Sequence, residues 1–90
     1  MRFTIALLLT MLTATAALAA MTDAQVKQAI IQESIASYPG PCACPYNVAR
    51  NGSMCGGRSA YSRPGGYAPI CYAVQVTPEM IRAYRQQHGQ

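Results

Sequence analysis

The sequence predicts a small, disulfide-rich α+β domain: an N-terminal helix, a long irregular loop held by cross-links, a short strand and a C-terminal helix. The chain has only 90 residues, and a domain of this size buries too little apolar surface to be stable without further cross-links. Its four cysteines all lie in the segment 39–72, which also contains five of the six prolines and six of the seven glycines. Sequences with helical periodicity flank this segment on both sides.

The first 19 residues have the features of a secretory signal peptide. An arginine at position 2 precedes an uncharged, mostly apolar run that ends in Ala-Leu-Ala at 17–19, a small-x-small pattern that signal peptidases accept. A transmembrane anchor is the alternative, since about 17–25 apolar residues can cross a bilayer, but the alanine-rich end favours cleavage. We therefore expect a signal peptide at 1–19, a single cysteine-rich domain at 20–90, export to the periplasm or the medium, and no stable membrane anchor after cleavage.

The segment after the cleavage site has the pattern of a helix. Thr22 is suited to be the N-cap, and Gln25 three residues later completes a capping box. Pro39-Gly40-Pro41 ends the helix, because proline cannot continue it. Two polar residues, Lys27 and Ser34, fall inside the apolar side, where they mark either a buried polar site or a core edge from which a lysine reaches water. The apolar side consists of Val26, Ile30, Ile31, Ile35 and Tyr38.

The chain after the cysteine-rich segment predicts a short strand and then a second helix. Side chains alternate in character along Ile70–Val76, which is the period of a half-buried strand. An extended segment held by Cys71 is the alternative. Thr77 and Pro78 are suited to the N-cap and the first helical position of the second helix. We expect the last residues, 88–90, to fray.

The four cysteines predict two disulfides, since an exported chain folds in an oxidising compartment. Cys42 and Cys44 are separated by a single residue, too close for an unstrained bond to each other. Each therefore pairs with Cys55 or Cys71, and the sequence leaves both arrangements open. Zinc bound by four thiolates is the alternative, but the spacing C-x-C-x10-C-x15-C lacks the paired C-x2-C units of zinc sites. We expect no metal and no cofactor.

The loop Arg58–Gly66 has the composition of a binding surface. Glycine lets the backbone approach a ligand, arginine offers a planar fork for carboxylate or phosphate groups, and tyrosine provides stiff contact area. The alternative is that the glycines only make turns, the rings fill a core and the arginines are solvated. The predicted binding residues are Arg58, Ser59, Tyr61, Ser62 and Arg63, with Tyr46 and Tyr67 beside them.

Catalysis has little support in the sequence. No Asp or Glu occurs from position 34 to 78, so a pair of catalytic carboxylates cannot form within the loop. The single histidine, His88, lies two residues from the end of the sequence, and a serine nucleophile would need Lys27 as its base. We therefore expect no enzyme activity.

Three motifs, CACPYN, CGGRSAYSRPGG and PICY in this order, resemble those of an uncharacterised family of small exported bacterial cysteine-rich proteins. The likeness covers about the central third of the chain and continues into the last helix. It implies bacterial origin, export and a motif centred on the four cysteines and the loop Arg58–Gly66, but it implies no catalytic role. A similar motif beside secreted nuclease domains implies nucleic acid as one partner.

These features lead to three hypotheses of function. The first is an exported, non-catalytic binding or accessory module whose loop Arg58–Gly66 contacts an anionic polymer or a partner protein. The formal net charge of +4, or +3 once Arg2 is removed with the signal peptide, permits an anionic partner without requiring one. The second is a structural or interaction domain that docks through its isoleucine-rich helix. The third is a small hydrolase.

Overall fold

A computed structural model describes residues 20–90, so the predicted signal peptide lies outside the described residues. Two α-helices, α1 (Asp23–Ser37) and α2 (Pro78–His88), lie at either end of this range. Between them the chain is irregular except for two 3₁₀ turns, Gly56–Arg58 and Ala73–Gln75. The two helices and the disulfide-bonded segment between them confirm the predicted small, disulfide-rich fold with a helix at each end.

Helix α1 begins and ends as its sequence predicts. The N–H of Gln25 donates to Thr22 Oγ1 at 3.1 Å, and the N–H of Thr22 donates to Gln25 Oε1 at 2.9 Å. These reciprocal bonds are the predicted capping box, which satisfies two backbone donors that the helix itself leaves unpaired. At the other end, Tyr38 is extended, as expected for a residue that precedes a proline. Val26 and Ile31 are the buried residues of α1.

Helix α2 also has the predicted N-terminus, but its C-terminus is more ordered than expected. Thr77 Oγ1 accepts a hydrogen bond of 3.2 Å from the N–H of Met80. The predicted fraying of 88–90 is wrong, because Gly89 adopts the left-handed conformation (φ +68°) that commonly ends helices. In addition, Gln90 Oε1 accepts a 2.8 Å hydrogen bond from the N–H of Met21.

Charged side chains join the two helices. Arg85 on α2 donates to Asp23 Oδ1 at 2.6 Å and to the carbonyl oxygen of Met21 at 2.9 Å. His88 Nε2 lies 3.4 Å from Glu33 Oε2, and its ring stacks on Tyr84 with 3.9 Å between ring centroids. The two ends of the described domain are therefore held together by polar contacts.

The predicted strand at Ile70–Val76 is wrong, and the fold class is corrected from α+β to helical with no sheet among residues 20–90. The oxygen of the Gln75 side chain accepts hydrogen bonds of 2.9 Å from the N–H groups of both Cys71 and Tyr72. Such local side-chain bonds to the backbone compete with strand pairing. The segment therefore turns back on itself at Ala73–Gln75 and leaves Val74 89% exposed.

Two disulfides form the core of the irregular segment. Cys42 bonds to Cys55 and Cys44 bonds to Cys71, which is one of the two arrangements that the sequence left open. Ala43, Cys44 and Cys71 form a buried cluster, against which Ile35 and Tyr38 pack. In the chain-entropy view, each cross-link stabilises the fold by about 3 kcal/mol. The segment therefore owes its single arrangement to sulfur bonds more than to regular secondary structure.

Candidate functional site

The start of the loop Arg58–Gly66 is tied to the first disulfide. The N–H of Ala60 donates to the carbonyl oxygen of Cys42 at 2.8 Å, and the N–H of Tyr61 donates to that of Ala43 at 3.0 Å. Arg58 Nη2 donates to Ser53 Oγ at 3.2 Å and to the carbonyl oxygen of Met54 at 3.0 Å. Arg58 therefore fastens the preceding turn while remaining exposed to solvent.

The two serines of the loop form a local hydrogen-bonded unit. Ser59 is fully buried, and its hydroxyl donates to Ser62 Oγ at 3.1 Å. The N–H of Ser62 in turn donates to Ser59 Oγ at 3.3 Å. The predicted contact residue Ser59 is thus inside the fold, where it holds the loop, and only Ser62 of the pair is exposed.

Three tyrosines form an exposed group that we call the tyrosine cluster: Tyr46, Tyr61 and Tyr72. Tyr72 makes edge-to-face contacts with both of the others, at centroid distances of 5.6 Å to Tyr46 and 5.3 Å to Tyr61. The three rings remain 41%, 40% and 38% exposed for Tyr46, Tyr61 and Tyr72 respectively. Edge-to-face pairs are favourable because the positive ring edge meets the negative ring face. The cluster therefore presents fixed aromatic surface to solvent.

Tyr46 anchors the tyrosine cluster to the second disulfide. Its hydroxyl donates a 2.7 Å hydrogen bond to the carbonyl oxygen of Cys71. Partial burial, with a smaller contribution from the neighbouring Tyr72, raises the pKa of Tyr46 above the usual value. The phenol is therefore neutral at physiological pH and remains a hydrogen-bond donor.

A second aromatic pair lies at the other end of the loop, beside a cleft of about 220 Å³ that we call the loop cleft. Tyr38, at the end of α1, and Tyr67 make an edge-to-face contact with 5.0 Å between centroids. Gly65 and Gly66 have φ of +77° and +114°, a region that side chains disfavour. The loop cleft is lined by Tyr38, Ala60, Arg63, Pro64, Gly65 and Tyr67.

Arg63 is the one cation that lines the loop cleft. Among residues 20–90 its guanidinium makes no hydrogen bond or ion pair with the protein, in contrast to Arg58 and Arg85. A guanidinium carries five donors in a planar arrangement that matches carboxylate and phosphate oxygens. The loop cleft therefore combines a positive charge, several N–H donors and aromatic walls.

The predicted binding residues divide between two places in the structure. Tyr46 and Tyr61 belong to the tyrosine cluster, whereas Arg63 and Tyr67 line the loop cleft. The sequence did not single out Tyr72 or Tyr38 for these surfaces. Tyr72 fell within the predicted strand Ile70–Val76, which does not form, and Tyr38 was assigned to the apolar side of α1. The position of Tyr72 next to Cys71 was the available signal, because a cross-linked neighbour fixes its location.

Several chemical alternatives bear on this segment. All four cysteines are disulfide-bonded, so a zinc site of four thiolates is not formed. In the part of the chain that the structure describes, no three His, Cys, Asp or Glu side chains are grouped as metal ligands would be. Across the same residues, neither helix combines the length and apolar character needed to cross a bilayer. The two disulfides are typical of an oxidising, extracellular compartment.

Comparison with known proteins does not extend this description. The chain matches no family model, no curated protein and no solved structure. The function proposed below therefore rests on the residues and contacts of the tyrosine cluster and the loop cleft.

Proposed function

We propose that this chain is an exported, non-catalytic binding or accessory module that contacts an anionic ligand or partner through the loop Arg58–Gly66. In this proposal residues 1–19 direct the chain to the periplasm of a bacterium or to the medium. The two disulfides support export, because such bonds persist in oxidising compartments. The expected partners are an anionic polymer, nucleic acid included, or an acidic surface of another protein.

The observation that carries the proposal is the composition of the loop cleft. Arg63 lines it together with the rings of Tyr38 and Tyr67, and no carboxylate is present in the sequence between positions 34 and 78 to compete for the guanidinium. An anionic group on a sugar, nucleotide or peptide can pair with Arg63 while its uncharged part contacts the rings. The polar contact gives orientation, and the aromatic surface adds contact area at low cost in side-chain entropy.

The test is binding of heparin and of a single-stranded oligonucleotide over a series of salt concentrations. Arg63→Gln is expected to weaken binding about tenfold, equivalent to about 1.4 kcal/mol, and to reduce the salt slope by about one. Arg50→Gln is the matched control, since Arg50 is an exposed cation outside the loop. Equal losses in the two variants would reduce the effect to overall charge and would contradict the proposal.

A second arm separates the aromatic contribution from the charge. Tyr67→Ala removes ring contact at the loop cleft and leaves the net charge unchanged. We expect weaker binding at every salt concentration with an unaltered salt slope, because no ion pair is lost. A Tyr67→Ala variant that binds as tightly as the wild type would show that the rings take no part.

The hypothesis that the isoleucine-rich helix docks on a partner has less support. Ile31 is only 2% exposed, and Ile30 and Ile35 are half-buried. These side chains are used within the fold, so they offer little surface to a partner. For the hydrolase hypothesis, the contacts of His88 among the described residues are a carboxylate, Glu33, and a ring, Tyr84. Neither contact is a nucleophile of the kind that a histidine base activates.

A further inference from the structure

A second cleft, distinct from the loop cleft, lies between the two helices. Its volume is about 370 Å³, at the small end of the range of about 300–1,000 Å³ that small-molecule sites occupy. We call it the interhelical cleft. It is lined by Asp23 and Lys27 from α1, by Val76, and by Pro78, Ile81, Arg82 and Arg85 from α2.

The charged residues of the interhelical cleft leave a positive surplus. Arg85 is already engaged, since it donates to Asp23 at 2.6 Å. Arg82 Nη2 lies 3.4 Å from Glu79 Oε2, and both side chains are mostly exposed, at 65% and 75%. Exposed pairs of this kind are weak, so Arg82 can turn to another anion. With both pairs counted, Lys27 supplies the remaining positive charge.

Lys27 also has no ion pair with any residue between 20 and 90. It is half-buried on the side of α1 that also holds the buried Val26. A lysine in this setting lays its alkyl stem along apolar surface and presents its ammonium at the edge. Here that edge is the interhelical cleft, so the polar residue that interrupts the apolar side of α1 supplies a cationic group there.

The remaining wall of the interhelical cleft is apolar. Val76 is buried, Ile81 is half-buried and Pro78 contributes its ring. A wholly inorganic anion would leave this wall in contact with water, whereas an uncharged apolar molecule would gain nothing from the cations. The lining is complementary to a molecule that has both an anionic group and an apolar group.

We propose that the interhelical cleft binds a small anionic amphiphile: one carboxylate or phosphate group that pairs with Lys27 and Arg82, attached to a short alkyl or aryl group that contacts Val76, Pro78 and Ile81. The occupant is a free small molecule, because the volume of about 370 Å³ holds little more than a short chain. This site is separate from the loop cleft, and neither proposal depends on the other.

Octanoate, acetate and octylammonium are the probes, titrated into the disulfide-bonded protein and followed by methyl and amide NMR signals. We expect octanoate to shift the signals of Val76 and Ile81 with saturation, and acetate and octylammonium to bind at least about tenfold more weakly. Acetate that binds as well as octanoate would reveal a plain anion site. Octylammonium that binds as well would reveal an apolar patch without charge selection. Either result overturns the proposal.

Two substitutions test the part played by Lys27. Lys27→Gln is expected to weaken octanoate binding about tenfold, whereas the control Arg50→Gln leaves it unchanged. Lys27→Glu is expected to reverse the preference, so that octylammonium binds more tightly than octanoate. A reversal of preference cannot arise from unfolding, which would abolish binding of both probes. If Lys27→Glu still prefers octanoate, the proposal is wrong.

Discussion

The backbone N–H of Ile70 donates a 2.7 Å hydrogen bond to the hydroxyl of Ser34. This bond links the end of the cross-linked segment to α1 across 36 positions of sequence. It also explains one of the two polar residues on the apolar side of α1. Ser34 is there because a backbone donor of an irregular segment needs a partner that no strand supplies.

Ser34→Ala is predicted to lower stability by about 1–3 kcal/mol, because it leaves the partly buried N–H of Ile70 without its acceptor. For a domain of this size the melting temperature should fall by about 4–8 °C for each kcal/mol. The control is Ser37→Ala, since Ser37 bonds only to the carbonyl oxygen of Glu33 within the same helix and is exposed. Similar melting temperatures for the two variants would contradict the role assigned to Ser34.

The two disulfides are predicted to differ in importance. Substitution of both Cys44 and Cys71 by alanine opens a loop of 27 positions. It also truncates two buried residues, which are 0% and 2% exposed. Chain entropy alone accounts for about 3.5 kcal/mol here, and the lost packing adds to it. The corresponding Cys42–Cys55 variant opens a shorter loop of 13 positions, and Cys42 is only half-buried.

Denaturant unfolding of the two disulfide variants, each compared with the wild type, measures this difference. We expect the Cys44–Cys71 variant to be the less stable of the two. The Cys42–Cys55 variant should keep its α-helical circular dichroism signal at low denaturant concentration. The opposite order of midpoints would show that the buried sulfur cluster is not the centre of the fold.

The raised pKa of Tyr46 gives stability a dependence on alkaline pH. Burial, followed by the effect of Tyr72, keeps the phenol protonated in the folded state to higher pH than in the unfolded chain. The contribution of Tyr46 to the free energy of unfolding is complete below the pKa of the unfolded chain, about 10. It is lost as pH rises through the pKa of the folded protein, because over this range the unfolded chain binds fewer protons than the folded one. Tyr46→Phe should remove this part of the loss. Unfolding midpoints measured on both sides of this range check the prediction, and identical slopes for the two proteins would contradict it.

The contact between Arg85 and Asp23 is predicted to contribute modestly to the pairing of the helices. Arg85→Gln removes a 2.6 Å bond to Asp23 and a 2.9 Å bond to the carbonyl oxygen of Met21. Since the Asp23 side chain is 72% exposed, water and salt screen the pair and the expected loss is about 1 kcal/mol. Arg82→Gln, which breaks a more exposed pair with Glu79, should cost less. Thermal unfolding at low and high salt measures both losses, and equal losses would contradict the prediction.

The N-termini of both helices were predictable because capping depends on residues that are close in sequence. Thr22 with Gln25, and Thr77 with Pro78, each act within a few positions, and the structure shows both. The turn that replaces the predicted strand at Ile70–Val76 was not predictable in the same way. Its alternating side chains satisfy the strand pattern, but Gln75 bonds to the backbone of the same segment, and no partner strand lies beside it among the described residues.

The arrangement of the candidate surfaces depends on contacts that are distant in sequence. Tyr46 reaches the carbonyl oxygen of Cys71 across 25 positions, and the rings of Tyr38 and Tyr67, which are distant in sequence, are 5.0 Å apart between centroids. These contacts depend on which of the two disulfide arrangements forms, and the sequence offered no reason to prefer either. For the same reason Ser59 was assigned to the surface on composition, although the fold encloses it.

The single residue between Cys42 and Cys44 places two covalent bridges side by side at the base of the irregular segment. The bridges hold the neighbouring backbone and rings in one arrangement, so binding of the proposed ligand would cost little conformational entropy. Reduction of the bridges would return that freedom to the segment. If the chain binds a ligand as proposed, the redox state of the surroundings would therefore change the affinity for that ligand.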